Sequence, residues 1–362
     1  VRALCADRHV RDRPGGTGPV ERLAYAPQGA AAYRILYRSK GLANEGIAVS
    51  GVVVVPSAAA AGPRGIIAWA HPTTGVTTHC GPSLRRGVLE TIPGLQAMLA
   101  QGYVVTATDY PGLGTGGTHP YLVGASEGRA VLDSVRAARR IAGAETGNRF
   151  AVWGHSQGGH AALYAGILAR SYAPELRLVG IAAAAPATEL SALLDEDINT
   201  VNGRILTAMT LWSWDRIYRA PVERVVDPAA VASVDRLAQH CVQSITDIIG
   251  LRLAEWPLER RFLTVDNLAQ VEPWRSLLAR NTPGRTPAGV PVFLSQGTSD
   301  SVVVPAITQD YMASLCRAGR RVKLITLPGV IHAFTAYRSA AAAVEWMSAR
   351  FAGSSPPDDC TR

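Results

Sequence analysis

Lysine is almost missing from this chain: of its 36 basic residues only Lys40 and Lys323 are lysines, the rest being arginines, a bias of codon usage more than of chemistry. The formal charge of +8 is explained by solubility and attraction to anionic surfaces. No tight basic run is interleaved with aromatics. The densest cluster, Arg136, Arg139 and Arg140, falls on an amphipathic helical pattern, which argues against a nucleic-acid partner. Long apolar runs are also missing: stretches such as 178–186 fall short of the roughly 18 residues that span a bilayer, so no integral membrane segment is expected. No CxxC pair or Cys/His cluster with metal-ligand spacing occurs, so no structural zinc site is expected.

What is present is enough for a sizeable core. Hydrophobic residues make up 48% and charged ones 18% of 362 residues, a balance that excludes extended disorder and fits one core with an insertion. The chain begins at Val1 without a charged region followed by an apolar one, and export with a signal already removed is the expectation. Cys5, Cys80, Cys241, Cys316 and Cys360 are widely spaced, which suits long-range disulfides in an exported enzyme with one cysteine left over. Small buried thiols are the alternative.

Residues 1–30 carry Pro, Gly and Arg without hydrophobic periodicity and read as an irregular surface arm. Runs at 32–39 and 47–56 read as an antiparallel pair opening a sheet. From Gly65 onward short apolar runs at 66–70, 103–108, 150–153, 179–184, 292–294 and 322–327 alternate with helical patterns such as 125–141 and 336–351. That rhythm is a repeated strand-helix-strand unit, so the class is α/β with a mostly parallel, doubly wound sheet. It breaks over 188–287, where helical patterns and several Trp and Tyr residues occur without a convincing strand, and this span reads as an inserted helical cap. The core is then 31–187 plus 288–353, followed by a tail at 354–362. Aromatics in the cap are read first as packing.

The chemistry is concentrated around Gly154-His155-Ser156-Gln157-Gly158-Gly159. An apolar strand precedes this G-x-S-x-G and an Ala/Leu-rich helix follows it, the context of a strand-to-helix elbow that lifts a serine above a sheet. Ser156 is therefore the candidate nucleophile of an α/β-hydrolase. The helix that follows points free N–H groups toward a developing anion, and the Gln157 backbone N–H is the first candidate oxyanion donor. The fold delivers the partners in the order serine, acid, histidine, each at the carboxyl end of a later strand. That order selects His332, in the loop after the run 322–327, as general base, and Asp300, just beyond 292–294, as the acid; Asp310 falls in the next helical pattern. His155 and His160 are read as packing or lining residues, and His71, His79 and His119 as loop residues near strand ends.

The run 66–70 ends in His71-Pro72-Thr73-Thr74-Gly75, where this fold places its second oxyanion N–H. Pro72 has none to offer. Thr73 is the candidate donor, by backbone and hydroxyl, with Thr74 next and a plain turn role as the alternative.

Taken together, His71-Pro72-Thr73-Thr74-Gly75, Cys80-Gly81-Pro82-Ser83, Asp109-Tyr110-Pro111-Gly112-Leu113-Gly114, the serine elbow, the Asp300 loop and the loop 328–332 resemble the secretory lipase family of lipase A type and its bacterial relatives. The resemblance implies hydrolysis of lipid or other acyl esters under a helical cap, without metal or cofactor, frequent secretion, and disulfides. By position it pairs Cys80 with Cys241 and Cys316 with Cys360 and leaves Cys5 free. Where relatives often read His-Gly, this chain has His71-Pro72. An acyltransferase using the same acyl-enzyme is the alternative activity, and a catalytically dead ligand-binding α/β-hydrolase a more remote one. A monomer is expected.

Overall fold

The computed structural model describes residues 14–196, 198–284, 286–287 and 289–360. Its strands are β1 (Thr17–Arg22), β2 (Ala30–Lys40), β3 (Gly46–Pro56), β4 (Arg64–Ala70), β5 (Val104–Thr108), β6 (Thr146–His155), β7 (Arg177–Ala184), β8 (Val292–Gly297) and β9 (Val322–Leu327). They form one sheet in the order β1-β2-β3-β5-β4-β6-β7-β8-β9. The first four in that order pair antiparallel, and everything from β5 to β9 pairs parallel.

Side chains alternate across each strand, so one run feeds two cores. In β4, Ile66, Ala68 and Ala70 face one way, toward α2 (Gly124–Ala138) and α3 (Gln157–Tyr172). Ile67 and Trp69 face the other, toward α1 (Leu95–Ala100) and α10 (Thr335–Phe351). Parallel pairing sets Trp69 beside Trp153 of β6, ring centroids 5.7 Å apart. Because both faces are covered, these strands read as continuous apolar runs.

Between β7 and β8 the chain forms α4 (Leu190–Glu196), α5 (Val201–Tyr218), α6 (Val231–Ala238), α7 (Ile245–Arg260) and α8 (Trp274–Asn281), with α9 (Pro305–Arg317) following β8. Among the described residues this stretch contains no strand beyond one isolated bridge, Val226 to Leu263. It has a core of its own, in which Trp214 and Trp274 stack at 6.3 Å with nearly parallel rings. Packing is thus what those two tryptophans do, while Trp256 on α7 is exposed.

The expectation of an irregular arm over 1–30 is corrected for its later part, because Thr17–Arg22 is a strand on the sheet edge. Its side chains are half-buried or exposed, so the strand is held by main-chain hydrogen bonds to β2 and leaves no apolar alternation in the sequence.

Two disulfides are present. Cys80–Cys241 ties the segment after β4 to the one after α6, and Cys316–Cys360 ties α9 to the tail, the pairing the resemblance implies. Cys5, expected to be free, lies outside the described residues.

Candidate active site

The parallel strands end along one edge of the sheet, and the loops leaving β4, β6, β8 and β9 meet there. At the end of β6 the chain turns straight into α3, with Ser156 at φ 56°, ψ −120° between them. A non-glycine residue at positive φ is strained and persists only where its surroundings force it. Here the two flanking glycines make it possible: a Cβ on Gly154 would overlap the Gly158 carbonyl, and one on Gly158 would overlap the Ala70 carbonyl of β4. The Ser156 N–H donates to the Ala184 carbonyl (2.9 Å), which anchors the turn to β7. Helix α3 begins at Gln157, directly after the serine.

His332 arrives from the loop after β9. Its Nε2 lies 2.8 Å from Ser156 Oγ and its Nδ1 lies 2.8 Å from Asp300 Oδ2. An ionised carboxylate can only accept, so Nδ1 carries the hydrogen and the Nε2 of the neutral ring is left to accept from the serine hydroxyl. Asp300 is held in turn by the backbone N–H groups of Val302 and Val303, each 2.9 Å from Oδ1, and by Gln296 Nε2 at 3.2 Å from Oδ2. Burial opposes its charge, yet the His332 hydrogen bond and charge, with the two backbone donors, hold its carboxyl below the usual carboxylate range. Asp310 is exposed on α9.

His155 packs beneath His332, ring centroids 4.9 Å apart, and its Nε2 donates to the His332 carbonyl (3.0 Å). Burial, reinforced by His332, pushes its imidazole down to about 3, so it is a neutral donor bracing the His332 loop. His71 lines the cavity described next, whereas His79 is exposed and bonded to the Gln239 carbonyl.

Ser156, His155 and His332 open into a cavity of about 900 Å³ that also reaches Thr73 and Thr74. Helices α5 and α7 contribute Ile205, Leu206, Ile248 and Leu251 to its wall, so sheet loops supply the polar end and the insertion supplies apolar wall. Ile331 and Tyr337, both about half exposed, stand at its rim. The volume suits a drug-sized ligand.

Thr73 faces this cavity, but its hydroxyl is engaged with Tyr121 OH at 2.8 Å, so a backbone N–H is what it has to offer. Gln157 sits at the first position of α3, where a helix leaves N–H groups without intrahelical acceptors. Its side chain turns inward, Nε2 donating to Glu127 Oε1 (2.8 Å) and lying 3.0 Å from His119 Nε2. Glu127, wholly buried in α2, also meets His160 Nδ1 at 2.7 Å, and His160 Nε2 meets the Asn281 carbonyl of α8 at 2.7 Å.

Glu127, His160 and Tyr121 went unassigned to this network in the sequence because the partners just described lie 30 to 121 residues away on other elements, and no local pattern records them. Asp109 did stand in a motif, and its place is now clear: its carboxylate accepts from Ser83 N–H (2.9 Å), Ser50 Oγ (2.6 Å) and Ser83 Oγ, pinning the segment around Cys80 to β3. Arg136 is committed to Asp133 and Glu175. Among the described residues, His79, Cys80 and Cys241 lie close enough to share a metal ion, but both sulfurs are spent in a disulfide and offer no thiolate.

A mostly parallel sheet with helices on both faces and a serine on the turn between β6 and α3 defines an α/β-hydrolase fold. The chain belongs to the secretory lipase family, whose profile matches residues 90–359. Among curated relatives, Lipase 10 of Candida albicans is 26% identical over 306 residues, covering 80% of this chain and 62% of that protein. Candida antarctica lipase A in its closed state superposes with a TM-score of 0.75 at 19% identity, over 95% of this chain and 84% of that one. The rice cell wall degrading esterase LipA from Xanthomonas oryzae gives 0.75 at 23% identity, over 91% and 95%. At these identities the structural likeness is one of fold. The chain spans less than two thirds of the length of the curated relatives it matches.

Proposed function

We propose that this protein is a carboxylic-ester hydrolase acting through a Ser156 acyl-enzyme. The reading rests on the two 2.8 Å contacts that link Ser156 Oγ through His332 to Asp300 at the mouth of a largely apolar cavity. Ser156 Oγ attacks the ester carbonyl carbon as its proton passes to His332 Nε2, and Asp300 stabilises the imidazolium. The tetrahedral oxyanion is met by the backbone N–H groups of Gln157 and Thr73. Collapse breaks the carbonyl carbon to alkoxy oxygen bond, and the alcohol leaves with the proton from His332. Water then gives its proton to His332 and its oxygen to the acyl carbon, freeing the acid and restoring the serine.

The acyl part lies along the wall built by α5 and α7, which makes lipid or other acyl esters the substrate class and the helical insertion a cap. Family membership and two disulfides joining distant segments support export to an oxidising compartment. Ser156→Ala is expected to cut kcat on an activated short-chain ester by about 10⁴ to 10⁶ while leaving Tm close to that of the parent. More than trace activity in that variant overturns the reading.

A further inference from the structure

Among the places where the insertion grips the sheet loops is the tripeptide His119-Pro120-Tyr121. Ser213 of α5 donates from Oγ to the His119 carbonyl (2.6 Å) and accepts the Tyr121 N–H (3.0 Å). Trp214, the next residue on α5, donates its indole N–H to the Tyr121 carbonyl (2.8 Å). Ser213, Trp214, His119 and Tyr121 are all essentially inaccessible to solvent.

The two side chains of this tripeptide then reach to the two residues assigned above as oxyanion donors. Tyr121 OH is 2.8 Å from the Thr73 hydroxyl. His119 donates from Nδ1 to the Pro111 carbonyl (2.9 Å), which leaves Nε2 as the acceptor for Gln157 Nε2 at 3.0 Å. One short segment thus holds both donors from behind, and one helix of the insertion holds that segment. The same helix lines the cavity with Asn202, Ile205 and Leu206, two to three turns before Ser213.

We infer that His119 and Tyr121 are positioning residues for the oxyanion site, and that α5 sets their place, so packing of the insertion tunes transition-state stabilisation as well as the shape of the acyl wall. The physical ground is that an oxyanion donor acts only when held within a few tenths of an ångström of where the charge develops, and that such precision comes from partners standing behind the donor. Neither residue touches the cavity end occupied by the reacting atoms, so their effect reaches the reaction through Thr73 and Gln157. The inference rests on the hydrolase reading, and its test separates the two.

The experiment measures kcat, KM, Tm and the rate of labelling by a serine-directed phosphonate for Tyr121→Phe, Thr73→Val, their double variant and Ser213→Ala. Tyr121→Phe keeps the buried ring and removes one hydroxyl. Expected is a fall of about tenfold in kcat and in phosphonate labelling, with KM within about twofold and Tm lower by a few degrees at most. Thr73→Val is expected to match it, and the double variant to be no worse than either single one, because both remove the same contact. Ser213→Ala is expected to lower kcat in the parent and to do so less in the Tyr121→Phe background. Thr73→Ser, which keeps the hydroxyl, is expected to lose less of kcat than Thr73→Val.

Unchanged kcat in Tyr121→Phe, or singles whose effects multiply in full, overturns the inference while leaving the Ser156 reading intact. A fall carried by KM alone, or one that tracks Tm, assigns the tripeptide to folding and overturns it equally. Failure of the hydrolase reading itself shows instead as retained turnover in Ser156→Ala.

Discussion

The sheet and the helical insertion solve the burial problem in different ways, and the site lies where they meet. In the sheet, strand alternation splits each run between two cores and places its loop ends within an ångström-scale register, as with Ile66 to Trp69 against Phe150 to Trp153. In the insertion, five helices close around Trp214, Trp274 and their neighbours with no ladder to fix their order. The first arrangement delivers polar groups to defined points. The second shapes a wall, and it is held to the sheet's loops by a disulfide, buried hydrogen bonds and apolar packing against Val76 and Tyr121 to Val123. Ser156, His332 and Asp300 therefore come from the sheet's loops, and part of the apolar cavity wall comes from the insertion.

The contrast can be broken most sharply on the sheet side. Gly158→Val forces a side chain into the Ala70 carbonyl, so the elbow cannot form, and esterase activity should fall by at least a thousandfold with a clear loss of Tm. A folded variant with most of its turnover would show that the tight turn is dispensable.

Next is the tether. Cys80–Cys241 closes a stretch of 161 residues and Cys316–Cys360 one of 44, so chain entropy makes the first constraint the larger. Cys241→Ala in a Cys80→Ala background should cost about 2–5 kcal/mol of stability and fall mainly on the insertion. Denaturant titration gives the cost, and equal losses for both bridges would argue that entropy is not what the longer one contributes.

Trp274→Ala removes a buried ring from the insertion's own core and should cost about 3–5 kcal/mol. Hydrogen exchange should then quicken across α5 to α8 before β4 and β6 respond. Simultaneous loss of protection in both would mean that insertion and sheet form one cooperative unit.

The smallest effect concerns pH. Burial, largest among the causes, pushes His119 to about 4 and His155 to about 3, both below the ordinary 6.5. Between 6.5 and those values the unfolded chain binds more protons than the folded one, so stability falls as pH drops through that window. Asp300, held below the ordinary carboxylate value of 3.8, adds stability that is present above that value and is lost as the pH falls below it. Tm measured from pH 7 to 4 should decline, and less steeply in His119→Gln; a flat profile in the parent contradicts the buried neutral assignment of both rings.

Much of this could be read in the chain before its fold was known. Parallel strands such as β4 and the 150–153 part of β6 announce themselves because two-sided burial writes an uninterrupted apolar run. The elbow announces itself because only glycine fits at 154 and 158, and the chain order of serine, acid and histidine singles out His332 among eight histidines. Strand β1 stayed hidden because its stability is in main-chain hydrogen bonds, which any side chains permit.

What only tertiary structure decided is who stands behind each reactive group. His155 under His332, Glu127 against Gln157 and His160, and Tyr121 against Thr73 are contacts between elements far apart in sequence, fixed by sheet register and by how α5 seats on the loops. Periodicity and local sterics determine strands, turns and the order of the site's residues, because both act within a few residues. Angles and distances across the site belong to packing, because they are settled by every layer of the molecule at once.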